Sequence, residues 1–369
     1  METKMMVPFL DLKAQYEAIK DELWPAIREV IERTQFILGP AVERFEQNFA
    51  SYCGAKFCVA TGSGTDSLHL ALLAAGIGPG DEVITQANTF VATLEAISYC
   101  GAKPVLVDVA PPSYAIDTNQ VCRAITSRTK AIVPVHLFGQ PCDLEAIYGL
   151  AEKHNLVVIE DASQAHGAEY HGRRIGSHGI ASFSFYPGKN LGGYGEGGGV
   201  TCNDARFADR MRRLRNHGSS AKYLHPEIGY NYRMDGIQGA VLDVKLRYLN
   251  DWTSARRRIA ALYDDLLSVV PKPTVPQYLK HVYHIYPIFV PDRDVLRAKL
   301  AEFGVETNVH YPVPCHLQQS YQYLGYSKGS FPYSEHIADS ELSLPLYAEM
   351  SDEMVRYVTD LIKRYYSST

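Results

Sequence analysis

Five short apolar runs alternate with helical patterns along residues 57–164, and this alternation constrains the fold most strongly. The runs are FCVAT (57–61), EVITQ (82–86), KPVLVDV (103–109), KAIVPVHLFG (130–139) and LVVIEDASQ (156–164). Helical segments such as SLHLALLAAG (67–76) and LEAIYGLAEKHN (144–155) lie between them. Strands that are apolar on both faces and alternate with helices predict an α/β fold, with a mostly parallel central sheet flanked by helices.

The pattern changes after about residue 250. A long helical stretch (243–270) leads into a proline-rich break, PKPTVPQY (271–278). The following HVYHIYPIFV (281–290) alternates in the manner of an antiparallel strand. We therefore predict a large α/β domain over residues 1–250, including the N-terminal segment, and a smaller C-terminal α+β domain over residues 251–369.

Charge and cysteine content argue against several classes of function. A net charge of −5 and a pI of about 6.2 argue against a nucleic-acid partner. No apolar run is long enough to span a bilayer, and METKMMVPFLDLKAQ (1–15) carries charge too early for a signal peptide. Seven scattered cysteines without a C-x-x-C pair argue against a disulfide framework and a structural zinc site. We expect a cytoplasmic protein with no membrane partner and no metal.

Ligand sites in such sheets lie beyond the carboxyl ends of the strands, which directs attention to three segments. The first, GSGTDSLHLALLAAG (62–76), opens a helix with small residues directly after a strand. Free backbone N–H groups at the helix N-terminus suit one phosphate. The segment is neither a Walker A motif nor G-x-G-x-x-G. By itself, a plain strand–helix turn explains it equally well.

The second segment places Asp161 at the end of a buried strand. A carboxylate there is costly unless an arginine, a metal or a protonated ring nitrogen meets it. Glu160 and His166 are the candidate further ligands for a metal, but neighbouring positions on an extended strand point to opposite sides. We expect His166 to pack or hydrogen-bond behind the site rather than to act in catalysis.

The third segment, FSFYPGKNLGGYGEGGGV (183–200), carries Lys189. Taken alone, a surface lysine in a glycine loop is the ordinary interpretation. Together, however, a phosphate turn, a buried carboxylate and a lysine at a strand end match pyridoxal phosphate. That cofactor uses a lysine Schiff base and an acidic partner for its ring nitrogen. A desolvated lysine is more readily neutral, so it can act as a nucleophile and then as a base.

Several longer motifs follow one another in an order that resembles a known family. They are PFLDLKAQY (8–16), FVATLEAISYCGAKPVLVDV (90–109), IEDASQAHGA (159–168), FSFYPGKNLGGYGEGG (183–198), LRNHGSSAKYLHPEIGYNYRMDGIQGAVL (214–242) and HYPVPCHLQ (310–318). Together they extend over nearly the whole chain. They resemble the DegT/DnrJ/EryC1/StrS family of sugar aminotransferases, which are fold type I pyridoxal-phosphate enzymes.

The resemblance implies roles for individual residues. Lys189 corresponds to the Schiff-base lysine, Asp161 to the pyridinium partner and Gln164 to the amide near the phenolic oxygen of the ring. Phe90 corresponds to the aromatic side chain that stacks on the ring. The positions that correspond to phosphate-binding residues are Gly64, Thr65, Asp66, Ser184 and Asn231.

Asn231 corresponds to an asparagine that reaches the cofactor phosphate of the partner subunit, which implies a homodimer with shared active sites. Without the family likeness, Asn231 is equally explained as a turn residue beside glycine.

The retained lysine implies amino transfer, because family members that act as 3-dehydratases carry histidine at that position. The lysine segment is similar to that of enzymes that aminate C-3 of a nucleotide-linked keto sugar, often a dTDP-3-keto-6-deoxyhexose. L-Glutamate is the expected amino donor, with pyridoxamine phosphate as the intermediate form of the cofactor. The alternatives are amination at C-4, a UDP-linked 3-keto sugar, a cyclitol, or a non-catalytic regulatory protein that binds the cofactor or a sugar.

Three residues are candidates for contact with the sugar, namely Tyr186, His310 and Tyr311. Aromatic and imidazole groups suit a sugar ring and a diphosphate. The segment TQFILGP (34–40) resembles a family segment at the mouth of the site. Tyr186 could equally fill the core, because the chain has 25 tyrosines.

Overall fold

The computed structural model of the protein describes residues 4–268, 270–272 and 274–367, which leaves Val269 of the long helical stretch and Pro273 of the proline-rich break outside the described residues. The strands within these ranges are β1 (Phe57–Thr61), β2 (Glu82–Gln86), β3 (Lys103–Val107), β4 (Thr129–Val133), β5 (Val157–Asp161), β6 (Glu169–Tyr170), β7 (Arg173–Arg174), β8 (Ile180–Ser184), β9 (Gly198–Cys202), β10 (Leu279–Lys280), β11 (Tyr286–Phe289) and β12 (Glu341–Leu344).

The α-helices within the same ranges are α1 (Leu12–Glu32), α2 (Pro40–Cys53), α3 (Gly64–Ala74), α4 (Ala92–Tyr99), α5 (Thr118–Ala124), α6 (Leu144–His154), α7 (Ala205–Leu214), α8 (Gly236–Leu246), α9 (Leu249–Leu266), α10 (Arg293–Glu302), α11 (Pro332–Ser340) and α12 (Asp352–Ser367). Short 3-10 helices span Leu137–Gly139, Cys315–Leu317 and Gln319–Leu324. No helix of the described chain is long and apolar enough to cross a membrane.

A seven-stranded sheet forms the centre of the molecule, in the order β1-β9-β8-β5-β4-β2-β3. Strand β9 is antiparallel to both of its neighbours, and the other pairings in the sheet are parallel. The carboxyl ends of β1, β5 and β8 therefore lie at the same edge. The predicted α/β fold with a mostly parallel sheet is confirmed.

Apolar side chains cover both faces of this sheet. On one face, Phe45 and Phe49 of α2 pack with Phe183 of β8. On the other face, Leu68 and Leu72 of α3 belong to the core that surrounds β1 and β2. Burial on both faces explains why the strands read as continuous apolar runs in the sequence.

A second core lies in the C-terminal part of the chain. It joins Ile259 and Tyr263 of α9 to Ile288 of β11 and Leu344 of β12, and it also takes in Val7 from the N-terminal segment. Strands β11 and β12 pair antiparallel. This core supports a separate smaller unit, while the boundary at residue 250 stays a prediction.

The sequence predicts one long helix over residues 243–270, but the structure has two helices there. Helix α8 ends at Leu246 and α9 begins at Leu249. The break has no glycine or proline to mark it. At the break, Arg247 N–H donates to the Val244 carbonyl and Tyr248 N–H to the Lys245 carbonyl, the tighter bonding of a helix end. Because α8 packs beside the central sheet and α9 in the second core, tertiary packing decides this break.

Candidate active site

The three segments singled out by the sequence meet at one cavity of about 540 Å³ beyond the ends of β1, β5 and β8. The sequence-predicted residues that line it are Gly64, Thr65, Phe90, Asp161, Gln164, Ser184, Tyr186, Lys189, His310 and Tyr311. The last two come from the C-terminal part of the chain, so both parts contribute to the cavity. Asp66 and Asn231 are not among the lining residues.

Lys189 follows β8 in a turn that its backbone N–H closes onto the Tyr186 carbonyl at 2.8 Å. Loss of hydration around the ammonium group lowers the pKa of Lys189 to about 8, and the negative charge of Asp161 partly opposes this shift. The amine is therefore close to half neutral at mildly alkaline pH. A neutral lysine amine is a nucleophile and a base.

Asp161 lies at the end of β5, buried, with its carboxylate held in place by hydrogen bonds. Thr93 Oγ1 donates to Asp161 Oδ2 at 2.8 Å, and Ser163 N–H donates to Oδ1 at 3.2 Å. Thr93 lies in the first turn of α4 and also bonds Thr89 at 2.9 Å. These bonds fix the direction of the carboxylate. A carboxylate held in one orientation is what a protonated ring nitrogen requires as its partner.

Gly64 forms the first turn of α3 and packs against Ser184 of β8. A Cβ on Gly64 would lie 2.6 Å from the Ser184 Cβ, which is too close for any side chain. Ser63 caps the helix by accepting a hydrogen bond from Asp66 N–H at 3.1 Å. Ser63, Gly64 and Thr65 line the cavity, so the N-terminus of α3 lies at the cavity, as an anion site requires.

Gln164 connects two other walls of the cavity. Its Oε1 accepts a hydrogen bond from Phe138 N–H at 2.5 Å, and its Nε2 donates to the Tyr311 hydroxyl at 3.2 Å. The Tyr311 ring lies 5.4 Å from that of Phe90. Phe90 is 52% exposed, so its ring face is open to a ligand in the cavity.

The other residues considered from the sequence lie outside the cavity. Asp66 does not line the cavity. Burial raises the pKa of Asp66 to about 6, and the charge of Glu196 adds to this effect. Asn231 is exposed on the surface of the protomer. His166 is buried against Phe49, Phe183 and Phe185, as expected for a packing residue. Glu160 accepts from Tyr148 and pairs with His136 on another side of the strand.

A second cleft, of about 710 Å³, is larger than the catalytic cavity but carries different chemistry. Its lining includes Tyr148, Glu160, Arg173 and His178, and none of the predicted site residues within the described chain. Size alone would select the wrong cleft. The convergence of Lys189 with a buried carboxylate makes the 540 Å³ cavity the candidate active site instead.

Sequence reasoning missed several residues that shape the cavity. Thr93 lies in a quoted motif, three residues after Phe90, and this spacing on a helix was an available signal. Lys245 is fully buried on α8, where its Nζ donates to the Gly192 carbonyl at 2.5 Å and holds the loop that follows Lys189. His284 comes from the second core and lines the cavity. No pattern in the sequence indicates the positions of Lys245 and His284.

The fold and the site together define a pyridoxal-phosphate-dependent aminotransferase of fold type I. The chain belongs to the DegT/DnrJ/EryC1/StrS aminotransferase family, whose sequence model matches residues 17–363. The family prediction from the sequence motifs is confirmed.

Individual relatives span almost the whole chain. It is 48% identical to a protein named pleiotropic regulatory protein from Geobacillus stearothermophilus, over 98% of this chain and 99% of the relative. It is 46% identical to the dTDP-3-amino-3,6-dideoxy-alpha-D-galactopyranose transaminase of Aneurinibacillus thermoaerophilus, again over 98% and 99%. The crystal structure of DesV from S. venezuelae in complex with a ketimine intermediate superposes with a TM-score of 0.96, at 43% identity over 98% of both chains.

The residues present fit pyridoxal phosphate. Lys189 and Asp161 line one cavity, and Gly64 and Thr65 bring the N-terminus of α3, which suits a phosphate, to the same cavity. Phe90 offers a ring face, and Gln164 offers an amide. When bound, the cofactor supplies an electron-withdrawing ring that stabilises negative charge on a carbon that loses a proton.

Proposed function

We propose that this enzyme moves the amino group of L-glutamate to C-3 of a dTDP-linked 3-keto-6-deoxyhexose. The observation that carries the proposal is the single cavity in which Lys189 and Asp161 share space with Tyr186, His310 and Tyr311. The name of the Aneurinibacillus thermoaerophilus relative supports both the dTDP group and the 3-amino position.

Each residue then has a defined task. Lys189 would take a proton from the donor carbon and pass it to the cofactor in the first half of the reaction, and it would give a proton to the sugar carbon in the second half, because its amine is close to half neutral at mildly alkaline pH. Asp161 keeps the ring nitrogen of the cofactor protonated. Tyr186, His310 and Tyr311 orient the sugar, and the imidazole and phenol groups exclude water from one side of the cavity.

We also infer that the enzyme is a homodimer in which Asn231 serves the cavity of the partner subunit. Asn231 is exposed and lies outside the cavity of its own chain. The loop before it presents Tyr223, Leu224 and Ile228 to solvent, and Ile228 is 91% exposed. Apolar side chains this exposed, together with Ile37 in the predicted mouth segment, support a surface covered by a second copy.

A panel of nucleotide-linked keto sugars tests the substrate. We expect turnover of a dTDP-3-keto-6-deoxyhexose with glutamate, parallel double-reciprocal plots, and NMR assignment of the new amine to C-3. Amination at C-4, or a preference for a UDP-linked 3-keto sugar or a cyclitol, would overturn the substrate assignment while keeping the reaction class.

The regulatory name of one close relative makes a second function worth testing. A catalytic protein is yellow and loses that colour when glutamate is added, because the amino group is transferred before any sugar is present. A regulatory protein that only binds the cofactor would keep its spectrum.

The predicted cytosolic location rests on the cysteine pattern of the sequence.

A further inference from the structure

Glu341 on β12 is a buried carboxylate without a cationic partner. Glu341 is 0% exposed. The guanidinium of Arg293 donates to the backbone carbonyl of Glu341 and pairs with Asp294, so it leaves the Glu341 carboxylate without an ion pair within the described chain. Burying an ionised carboxylate in this way is costly. The position of Glu341 therefore calls for a reason other than packing.

A chain of hydrogen bonds leads from this carboxylate to the catalytic cavity. Glu341 and Ser343 are two residues apart on one strand, so their side chains share a face. Ser343 Oγ donates to Glu341 Oε1 and lies 2.8 Å from His310 Nδ1. The backbone N–H of His310 donates to Glu341 Oε2 at 2.7 Å. His310 itself lines the cavity.

The proton positions in this chain depend on each other. When Glu341 is ionised, the single hydroxyl proton of Ser343 points to the carboxylate. His310 Nδ1 must then donate to Ser343, and Nε2 carries the lone pair. When Glu341 is protonated, both hydrogen bonds of the Ser343 hydroxyl reverse, Nδ1 accepts, and the proton of the imidazole resides on Nε2.

We propose that Glu341, Ser343 and His310 form a proton relay between the cavity and the buried carboxylate. A proton that arrives at His310 Nε2 is matched by transfer of the Nδ1 proton to Ser343 Oγ and of the Ser343 proton to Glu341 Oε1. The imidazole begins and ends neutral, and one proton is stored on Glu341. The reverse sequence delivers that proton to the cavity.

The surrounding charges agree with a neutral imidazole and a titrating carboxyl group. Burial lowers the pKa of His310 to about 4, and the charge of Lys189 acts in the same direction. Burial raises the pKa of Glu341 to about 7, against the opposing effects of its hydrogen bonds from Ser343 and His310 and of Arg293. Near neutral pH the carboxyl group changes protonation, while the ring does not become charged.

Lys189, whose charge acts on His310, has a pKa lowered by burial to about 8, which is above that of Glu341. The histidine and tyrosine side chains around the relay keep one protonation state near neutral pH. Burial lowers the pKa of His284 well below its usual value. Burial also raises the pKa values of Tyr114 and Tyr311 above their usual range. Neither phenol ionises near neutral pH, so Glu341 is the proton store.

The use of the relay rests on the proposed function, whereas its existence does not. When a sugar ketone is replaced by an amine, its oxygen leaves as water and needs a proton. The relay can supply that proton at His310, which leaves Lys189 free for the proton on carbon. This division separates the two proton transfers within one cavity.

Nitrogen-15 NMR of the holoenzyme, labelled at histidine, tests the relay without any substrate. The His310 signals are assigned by their loss in His310→Asn. In the wild type we expect a change of tautomer with a midpoint near pH 7 and no charged imidazole. In Ser343→Ala and Glu341→Gln the change should be absent, whereas Ser343→Thr, which keeps the hydroxyl, should retain it.

Ser340→Ala is the matched control, because the hydroxyl of this buried serine donates to the His336 carbonyl and has no hydrogen bond to the relay within the described chain, so the tautomer change should stay intact. A single tautomer throughout in the wild type, or an unchanged transition in both Ser343→Ala and Glu341→Gln, would overturn the relay. If the NMR result holds and no keto sugar is aminated, the proposed function fails and the relay stands.

Discussion

At Lys189, burial and charge act on the amine in opposite directions. Burial favours the neutral form, and Asp161 favours the ammonium form. Burial has the larger effect, so the pKa falls below that of an ordinary lysine. The same Asp161 is held by Thr93, which makes the pair sensitive to a residue that touches neither the lysine nor solvent.

The rate at which the apo-protein acquires visible absorbance with added pyridoxal phosphate should follow the neutral fraction of Lys189. With a pKa of about 8, that rate should rise about tenfold from pH 7 to pH 9 and then level off. Asp161→Asn removes the opposing charge, so its midpoint should lie at lower pH. A rate that keeps rising beyond pH 9 would contradict the lowered pKa, and Lys189→Ala should acquire no such band.

Thr93→Val should lower kcat/KM about tenfold to a hundredfold. It removes a hydrogen bond to a charged buried group, worth about 1.5–3 kcal/mol. Thr93→Ser should restore most of the activity, because it keeps the hydroxyl. Thr253→Val is the matched control, since that buried hydroxyl has no partner within the described chain. A kcat/KM for Thr93→Val equal to that of the wild type, measured by steady-state kinetics, would contradict the proposed role of Thr93 in holding Asp161.

At the scale of elements, the active site depends on how closely α3 approaches β8. The strand segments FCVAT and EVITQ became β1 and β2 without a change of boundary. Their apolar pattern is local, so the sequence reveals it. The contact between Gly64 and Ser184 joins elements that are distant in the chain, and no local pattern indicates how close they come.

Gly64→Ala should weaken pyridoxal phosphate binding at least about tenfold and destabilise the fold by about 1–3 kcal/mol. The new methyl group would overlap Ser184 and push α3 away from the strand. Gly149→Ala on α6 is the control, because nothing lies within 4 Å of its Cβ position. It should be neutral or stabilise by about 0.5–1 kcal/mol. Equilibrium titration with the cofactor measures the binding affinity, and thermal unfolding measures the stability of the fold.

At the scale of the whole molecule, the cavity draws residues from both cores. His310 and Tyr311 belong to the C-terminal part, and Lys189 belongs to the central sheet. The proposed dimer extends this arrangement, because Asn231 is exposed and does not line the cavity of its own chain. Subunit association would then be a condition for complete phosphate binding.

Ile228→Glu should shift the protein from a dimer towards the 41.1 kDa monomer and weaken cofactor binding. A carboxylate placed in an apolar interface loses hydration without gaining a partner. Val295→Glu, at another exposed apolar position on α10, should stay dimeric. Sedimentation at micromolar concentration measures the mass. An Ile228→Glu dimer as tight as the wild type would refute the proposed interface.

The amino-acid sequence alone predicted the α/β class, the alternation of strands and helices over residues 57–164, the family, and ten of the residues that line the cavity. It could do so because apolar periodicity is local and because Lys189 and Asp161 occupy recognisable motifs. The break between α8 and α9, the burial of Lys245 and the hydrogen-bond chain from His310 to Glu341 became visible only in the folded molecule. These features depend on side chains far apart in the chain meeting in a medium from which water is excluded, and spacing along a sequence carries no measure of that distance.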